Sequence, residues 1–381
     1  MSEAQTSMHP DPDFLAQALP AVRDLAPYEP GKPIEELERE LGIANIIKLA
    51  SNESPLGPAP GVRRVLEAEL DRLALYPDGS GHALKQALAD HLDVAPAQVT
   101  LGNGSNDLLN LVAQAFLAPG RNAVMSAHAF AIYALATRAV GAEARVAPAL
   151  PADAAQPCGH DLAAMAERMD GNTAVVFIAN PNNPTGTWID RDALENFLGA
   201  VPPQVVVVLD EAYFEYVQQA GYPDGCRLLA RYPNLLVTRT FSKAYGLAAL
   251  RVGYAVSHPA LADLLNRLRQ PFNVNSLGLA AARAALADID HLAAAVAINR
   301  TGLKQLSTGL AALGLPYIPS VGNFITFRVP DAADLNQRLL HSGIIVRPVA
   351  GYGLPESLRV SVGLPEHNAR FLETLGRLLQ S

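Results

Sequence analysis

The chain has 381 residues, which is long enough for two domains with a substantial core. Half of its residues are hydrophobic and 17% are charged, a composition that is ordinary for a soluble globular enzyme. Its net charge of -8 argues against a nucleic-acid partner and against binding to an anionic membrane surface.

Other features of the sequence bear on cellular location, membrane association and metal binding. The two cysteines, Cys158 and Cys226, are too few for a disulfide framework, so we expect a cytoplasmic location. The N-terminal residues have no basic segment followed by an apolar run, so we expect no signal peptide. No uncharged apolar run approaches the length of a membrane span, and the nine histidines show no metal-type clustering. We therefore expect neither a membrane partner nor a metal site.

The first part of the chain predicts an arm and a candidate anion site. Residues 1–25 are rich in proline, alanine and acidic residues and are expected to form an N-terminal arm. After the predicted strand 99–101, a turn that contains Gly104, Ser105 and Asn106 opens a helix whose apolar residues recur at helical spacing. Such a turn presents free backbone N–H groups to an anion, although glycine also serves ordinary tight turns.

Three apolar segments in the middle of the chain each end in polar or reactive residues. Two of them, 174–179 and 205–209, are continuous apolar runs that are typical of strands buried on both faces of a parallel sheet, and 235–238 is a shorter one. The turns that follow them are, in order, Asn180-Pro-Asn-Asn-Pro-Thr-Gly186, Asp210-Glu-Ala-Tyr213 and Thr240-Phe-Ser-Lys-Ala-Tyr-Gly246. Because ligands of open α/β sheets bind outside the carboxyl ends of the strands, one crevice could hold all of these groups.

An acid, a phenol and a lysine in one crevice suggest a pyridoxal phosphate site, with Asp210, Tyr213 and Lys243 as catalytic residues. The lysine would form a Schiff base with the cofactor, and the carboxylate would keep the pyridine nitrogen protonated so that the ring can accept carbanion charge. Because a pyridoxal phosphate site needs a place for the cofactor phosphate, we expect the turn at 104–106 to bind that phosphate. Arg251 would complete this phosphate site by a charge-assisted contact.

The C-terminal part of the chain predicts helices followed by three strands, at 259–270, 277–313, 321–327, 344–347 and 358–363. The last two of these strands carry Arg347 and Arg359, twelve residues apart and each flanked by β-branched residues. An arginine in a strand is usually an exposed edge residue, but two arginines in this repeated pattern are harder to dismiss as such.

Taken together, the three turn motifs and Arg251 resemble the fold-type I pyridoxal-phosphate-dependent aminotransferases, and they are most similar to the histidinol-phosphate aminotransferase family. The likeness runs from about Tyr28 to the C-terminus. It implies an α/β fold in which a large domain, with a mostly parallel seven-stranded sheet between helices, is joined to a smaller α+β domain. On this basis we expect an arm and part of the small domain at 1–50, the large domain at 51–275, and the C-terminal small domain at 276–381.

The resemblance also assigns roles to individual residues. It implies that Phe130 stacks on the pyridine ring, that Asn180 and Tyr213 bind the ring's phenolate oxygen, and that Tyr76 reaches across a homodimer to the partner's cofactor phosphate. The segment Asn52-Glu53-Ser54-Pro55 is similar to the family's active-site segment, although serine stands where the family has asparagine. The implied cofactor ligands are Gly104, Ser105, Asn106, Phe130, Asn180, Asp210, Tyr213, Ser242, Lys243, Arg251 and Tyr76. The implied substrate ligands are Tyr28, Asn52, Asn323, Arg347 and Arg359.

The implied reaction is amino-group transfer between L-histidinol phosphate and 2-oxoglutarate or L-glutamate in histidine biosynthesis. Transamination of phenylalanine or tyrosine is a competing interpretation, because Arg359 could equally bind an α-carboxylate. A pyridoxal-phosphate-dependent decarboxylase of a phosphorylated amino acid shares these motifs and is a further alternative. A non-catalytic regulator is disfavoured, because the sequence has no appended basic helix-turn-helix segment. The effect of the glycine-rich loop 348–354 on the pocket stays open.

Overall fold

The computed structural model describes residues 13–28 and 30–380, so residues 1–12 of the predicted arm lie outside the described residues. The rest of the predicted arm forms two single-turn helices whose side chains are mostly exposed. Within the described part, the α-helices are α1 (Phe14–Gln17), α2 (Pro20–Arg23), α3 (Ile34–Leu41), α4 (Pro60–Leu70), α5 (His82–Leu92), α6 (Ser105–Phe116), α7 (Ala131–Ala139), α8 (Leu162–Glu167), α9 (Arg191–Ala200), α10 (Pro259–Leu268), α11 (Ser276–Ala287), α12 (Ile289–Ala312), α13 (Ala332–His341) and α14 (Pro365–Gln380).

The strands of the described chain form three sheets. They are β1 (Ile47–Lys48), β2 (Val99–Asn103), β3 (Asn122–Ser126), β4 (Glu143–Ala147), β5 (Thr173–Ala179), β6 (Val206–Asp210), β7 (Leu235–Thr240), β8 (Val252–Ser257), β9 (Tyr317–Ile318), β10 (Phe324–Arg328), β11 (Ile344–Ile345), β12 (Arg347–Pro348) and β13 (Ser357–Ser361). The large sheet has seven strands in the order β2-β8-β7-β6-β5-β3-β4. Only β8 runs antiparallel to its neighbours in this sheet, so the predicted mostly parallel seven-stranded sheet is confirmed.

The central strands β5 and β6 are mostly apolar because both faces of the large sheet are covered by hydrophobic clusters. Every residue of β5 and of β6 is buried. Successive side chains of a strand point to opposite faces. Accordingly, Val176 and Val207 belong to one hydrophobic cluster of the large sheet, while Val175 and Val208 belong to the other. This burial on both sides explains why the sequence shows continuous apolar runs instead of alternation.

A second, smaller unit is built from the C-terminal strands and one N-terminal strand. Four strands form an antiparallel sheet in the order β12-β13-β10-β9, and β1 pairs in parallel with β11. The predicted strand 344–347 is therefore divided between two sheets. Leu306 and Leu310 of α12 pack in the core of this unit with Phe371 and Leu375 of α14. Alanines of α11 instead pack in a core of the large sheet. The domain boundary proposed at residue 275 stays a prediction.

The pairing of the central strands brings the three polar turns to one edge of the sheet. Ala179 at the end of β5 is the register partner of Asp210 at the end of β6, and Asp210 is the partner of Thr238 on β7. The carboxyl ends of parallel strands lie at the same edge, which is where ligands of such sheets bind. Across the described residues, no helix is both long and apolar enough to cross a membrane, and no group of three or more His, Cys, Asp or Glu residues could hold a metal ion.

Candidate active site

A cavity of about 180 Å³ lies at the carboxyl edge of the large sheet, where the two units meet. Most of the predicted site residues line it, namely Tyr28, Asn52, Ser105, Asn106, Phe130, Asp210, Tyr213, Ser242, Lys243, Arg251, Arg347 and Arg359. Four predicted residues do not line it: Tyr76, Gly104, Asn180 and Asn323. Most of the predicted residues therefore share one pocket, and the other four lie outside its lining.

Lys243 lies on the loop after β7, and its side chain is half-buried in this pocket. Its Nζ donates a hydrogen bond to the Ser51 carbonyl oxygen at 3.0 Å. Burial lowers the pKa of Lys243 to about 8, and the positive charge of Arg359 acts in the same direction. A lysine with such a pKa is partly neutral near neutral pH, which is the form that attacks a carbonyl carbon or accepts a proton.

The Asp210 carboxyl group closes the pocket from the sheet side and is 5% exposed. The Tyr133 hydroxyl donates to its Oδ2 at 2.8 Å, and the Thr238 hydroxyl donates to its Oδ1 at 3.0 Å. Burial raises the pKa of Asp210, while these two hydrogen bonds lower it. The carboxyl group thus faces the pocket with its position fixed by neutral donors.

The Tyr213 phenol is buried next to Lys243, whose Nζ lies 5.8 Å from the ring centroid. Burial raises the pKa of Tyr213 to about 12, so the phenol is neutral near pH 7. The Asn52 side-chain amide donates to the Tyr213 hydroxyl oxygen at 2.9 Å, and the Ser361 hydroxyl donates to Asn52 Oδ1 at 2.9 Å. The chain therefore fixes the orientation of the phenol through contacts from the smaller unit.

The start of α6 and the Arg251 guanidinium form a cradle on the other side of the pocket. Gly104 precedes α6 with a φ of +78°, and a Cβ at this position would lie 2.4 Å from Arg251 Nη2. A Cβ at Gly253 would lie 2.4 Å from the backbone nitrogen of Ser105. Arg251 Nη1 donates to the Ser242 hydroxyl at 3.3 Å. Free helix N–H groups, a hydroxyl and a guanidinium are the donor set that binds a phosphate, and glycines keep it open.

A second cationic region of the pocket lies on the antiparallel pair β12 and β13. Arg359 and Arg347 are register partners on these strands. Arg359 is 5% exposed, donates to the Ala50 carbonyl oxygen at 2.6 Å and to the Asn183 side-chain oxygen, and has a buried Nε without a partner among the described residues. The Arg347 guanidinium lies 5.7 Å from the Tyr28 ring centroid. Two guanidinium groups in one pocket favour an anionic ligand group.

The structure corrects the placement of Asn180. Its side chain is fully buried, donates to the Ile189 carbonyl oxygen at 3.1 Å and accepts from the Ile189 N–H at 2.9 Å. The amide is therefore used to close the loop 180–189. Asn183, three residues later in the same motif, lines the pocket instead. The sequence analysis selected Asn180, the first asparagine of the motif, whereas the turn directs Asn183 into the pocket.

Asn323 and Tyr76 also lie outside the lining of this pocket. Asn323 is buried behind the pocket and donates to the Asn52 carbonyl oxygen at 2.9 Å, so it supports Asn52. Tyr76 is 83% exposed and stacks on Phe272 with ring centroids 4.7 Å apart. Since Tyr76 lies outside the Lys243 pocket, any contact with a cofactor requires a second copy of the chain.

Besides Asn183, sequence reasoning missed Tyr133 and Thr238, the two residues whose hydroxyls hold Asp210. Tyr133 follows Phe130, the N-cap residue of α7, by three residues, and their ring centroids lie 5.9 Å apart. Thr238 is in register with Asp210. The helical spacing was a usable signal for Tyr133, but the partner of Thr238 required the strand order.

Comparisons with known proteins agree with this geometry. The family model for aminotransferase class I and II matches residues 44–375. Histidinol-phosphate aminotransferase 2 from Pseudomonas aeruginosa is 61% identical over 370 residues, which cover 96% of this chain and 99% of that protein. Histidinol-phosphate aminotransferase 2 from Methylococcus capsulatus is 56% identical over 95% of this chain and 98% of that protein.

Among solved structures, the crystal structure of histidinol-phosphate aminotransferase from Sinorhizobium meliloti in complex with pyridoxal-5'-phosphate superposes with a TM-score of 0.87. It is 29% identical in sequence, and the match covers 96% of this chain and 98% of that chain. The predicted family and fold are confirmed by these matches. The chain belongs to the class I and II aminotransferases, within the histidinol-phosphate aminotransferase family, and is a transaminase.

Proposed function

We propose that this chain binds pyridoxal 5'-phosphate at Lys243 and transfers an amino group between L-histidinol phosphate and 2-oxoglutarate or L-glutamate, as a step of histidine biosynthesis. The observation that carries the proposal is one pocket that is lined by a lysine of lowered pKa, a buried carboxyl group and two cationic regions. One cationic region matches a cofactor phosphate and the other matches an anionic substrate group.

The residues present fit this cofactor. Gly104 and Gly253 leave room in the cradle that a side chain would fill, and Ser105, Ser242 and Arg251 supply phosphate donors. Asp210 would hold the ring nitrogen, Phe130 would cover one face of the ring, and Asn183 with Tyr213 would bind the ring oxygen, since all four residues line the pocket. When bound, the cofactor supplies an aldehyde for the substrate amine and a ring that accepts the electron pair released at the neighbouring carbon.

The side chains of the pocket then perform three tasks. Lys243 Nζ, with a pKa near 8, removes the proton from the substrate carbon that carries the amine. The Asp210 carboxylate favours a proton on the nitrogen that faces it. The neutral Tyr213 phenol donates a hydrogen bond and thereby stabilises negative charge on a neighbouring oxygen. Burial of the pocket strengthens each of these interactions relative to water.

The substrate assignment depends on the arginines. Histidinol phosphate carries an amine and a phosphate but no carboxylate, so Arg359 and Arg347 would bind its phosphate. The same guanidinium groups would bind the carboxylates of glutamate, since the planar guanidinium pairs with either anion. Tyr28 stands edge-on to Phe130 with ring centroids 6.4 Å apart, which gives the pocket an aromatic wall for the imidazole.

We further propose a homodimer in the cytoplasm. Tyr76 and its neighbours Leu73 and Leu75 are exposed apolar residues next to Phe272, as expected of a surface that a second copy covers. In that assembly the Tyr76 hydroxyl of each copy would reach the partner's phosphate cradle. The two cysteines are free, as in proteins of a reducing compartment.

The first test removes the amine. Lys243→Ala should abolish both transamination and the visible absorption of covalently held cofactor. Lys304→Ala, a change of an exposed lysine on α12, should alter neither. Borohydride reduction followed by peptide mapping should place the fixed cofactor on the peptide that contains Lys243. Cofactor fixed on another residue would refute the assignment.

The second test separates the candidate substrates. With 2-oxoglutarate as acceptor, kcat/KM for histidinol phosphate should exceed the values for phenylalanine and tyrosine. Release of carbon dioxide without amino transfer would instead indicate a decarboxylase. Arg359→Ala should raise the KM for histidinol phosphate and for 2-oxoglutarate, whereas Arg328→Ala, an exposed strand arginine paired with Glu356, should leave both unchanged.

A further inference from the structure

Tyr133 and Thr238 hold the two oxygens of the Asp210 carboxyl group, one oxygen each. The Tyr133 hydroxyl is 2.8 Å from Oδ2, and the Thr238 hydroxyl is 3.0 Å from Oδ1. Both partners are themselves completely buried. Among the described residues, no lysine, arginine or histidine forms an ion pair with Asp210. This carboxyl group therefore depends on neutral donors.

The two donors come from different elements, and each is fixed independently. The Tyr133 ring stacks on Phe177 with centroids 4.9 Å apart and planes at 4°, and its carbonyl accepts from the Thr137 hydroxyl at 2.7 Å. Thr238 belongs to β7 and is the register partner of Asp210 on β6. Donors held by a helix and by a neighbouring strand leave the carboxyl plane little freedom to rotate.

The direction of these hydrogen bonds favours an ionised carboxyl group. Burial raises the pKa of Tyr133 well above its ordinary value, so its hydroxyl keeps its proton and donates it. Hydrogen bonds donated to a carboxylate lower the pKa of that carboxylate, whereas burial alone would favour the neutral acid. Without these donors, a buried Asp210 would bind a proton more readily and would compete with a basic nitrogen in front of it.

We propose that Tyr133 and Thr238 are positioning residues that hold Asp210 as an oriented carboxylate, so that a proton stays on the cofactor ring nitrogen facing it. This inference rests on the proposed function. The residues do not touch the reacting carbon, and they act through Asp210. Their removal transfers part of the proton from the ring nitrogen to the carboxyl group and weakens the ring as an electron acceptor.

The experiment measures where that proton resides. Pyridoxal phosphate labelled with ¹⁵N in the ring is bound to the full chain, and the ¹⁵N chemical shift is recorded by NMR together with kcat/KM. The wild type should show a protonated ring nitrogen. Tyr133→Phe and Thr238→Val should each move the shift toward the unprotonated value and lower kcat/KM by about ten- to a hundred-fold, the range for loss of a hydrogen bond to a charged group.

Matched variants separate this role from a purely structural one. Thr238→Ser keeps the donor and should retain the wild-type ¹⁵N shift. Tyr232→Phe removes a buried tyrosine hydroxyl that donates to the Glu195 carbonyl at 3.2 Å, away from the pocket, and should also leave the shift unchanged. If Tyr133→Phe does not fold, the comparison of Thr238→Val with Thr238→Ser decides the question.

Two negative outcomes have different meanings. If Tyr133→Phe and Thr238→Val bind the cofactor with the wild-type ¹⁵N shift, the inference is overturned while the role of Lys243 stands. If the wild-type chain takes up no pyridoxal phosphate, the proposed function is overturned and this inference with it.

Discussion

Asp210 and Glu211 are neighbouring buried carboxyl groups at the end of β6, yet their surroundings are opposite in kind. Glu211 accepts from Arg239 Nε at 2.9 Å and Nη2 at 2.7 Å, and from the Gly225 N–H at 2.9 Å. The Arg239 guanidinium also bonds Asp224 at 2.6 Å. Both side-chain partners of Asp210 are hydroxyls, a hydrogen bond from the Ala212 backbone also lowers its pKa, and the carboxyl group faces the pocket.

The difference separates a structural acid from a functional one. The negative charge of Glu211 is paired with the Arg239 guanidinium. This guanidinium also packs on the Phe214 ring, whose centroid lies 3.4 Å away. On the Asp210 side, the carboxylate is oriented by hydrogen bonds and forms no ion pair among the described residues, although the charge of the pocket residue Lys243 acts to lower its pKa. Burial alone therefore does not identify the catalytic acid, whereas a carboxylate without an ion pair at a pocket does.

The largest expected effect is on stability, on the Glu211 side. Arg239→Met should lower the free energy of unfolding by about 3–5 kcal/mol, because it leaves Glu211 buried without its cation. Denaturant unfolding followed by circular dichroism measures this loss. The double variant Arg239→Met with Glu211→Gln should recover much of it, since no unpaired charge is then buried. An Arg239→Met protein as stable as the wild type would contradict the structural role of the pair.

The next effect is on catalysis, on the Asp210 side. Asp210→Asn should lower kcat by about 10²–10³-fold, the typical cost of removing one preorganised electrostatic group, while the cofactor still binds. Steady-state kinetics and the absorption of the bound cofactor measure the two quantities. Asp263→Asn, which removes a surface carboxylate paired with Arg267, is the control and should leave kcat unchanged. Near-normal turnover of Asp210→Asn would show that Asp210 is not the functional acid of the pair Asp210 and Glu211.

The smallest effect is a pH dependence on the Glu211 side. Glu215 has a buried Oε2 without a hydrogen-bond partner among the described residues, and burial raises its pKa from 4.5 to about 7, against the opposing charge of Arg239. Between these two values the folded chain keeps a proton that the unfolded chain has lost. The free energy of unfolding should therefore fall as pH rises through this window, by about 1–3 kcal/mol.

Glu215→Gln tests this pH dependence, because the amide does not titrate. Denaturant unfolding at pH 5 and at pH 7.5 should show a larger decrease for the wild type than for Glu215→Gln. Equal decreases in both proteins would show that Glu215 does not titrate in this window.

The sequence predicted the central strands and the reactive residues that follow them. Apolar runs long enough only for buried strands predicted β5 and β6, and the polar residues directly after such runs had to lie at one edge of a parallel sheet. Lys243 and Asp210 were located in this way. The resemblance to aminotransferases supplied the roles of Phe130, Arg347 and Arg359, all of which line the pocket.

Only the tertiary structure decided which polar groups face the ligand. Asn180 and Asn183 belong to one motif, and the path of the turn buries the first against Ile189 and presents the second. Arg347 lies opposite Arg359 because β12 pairs antiparallel with β13. Local sequence patterns do not predict this pairing. Local sequence specifies backbone propensity and burial, whereas the direction of a side chain and its partner depend on contacts between segments distant in the chain. That is why the pocket was predictable and the orientation of Asp210 by Tyr133 and Thr238 was not.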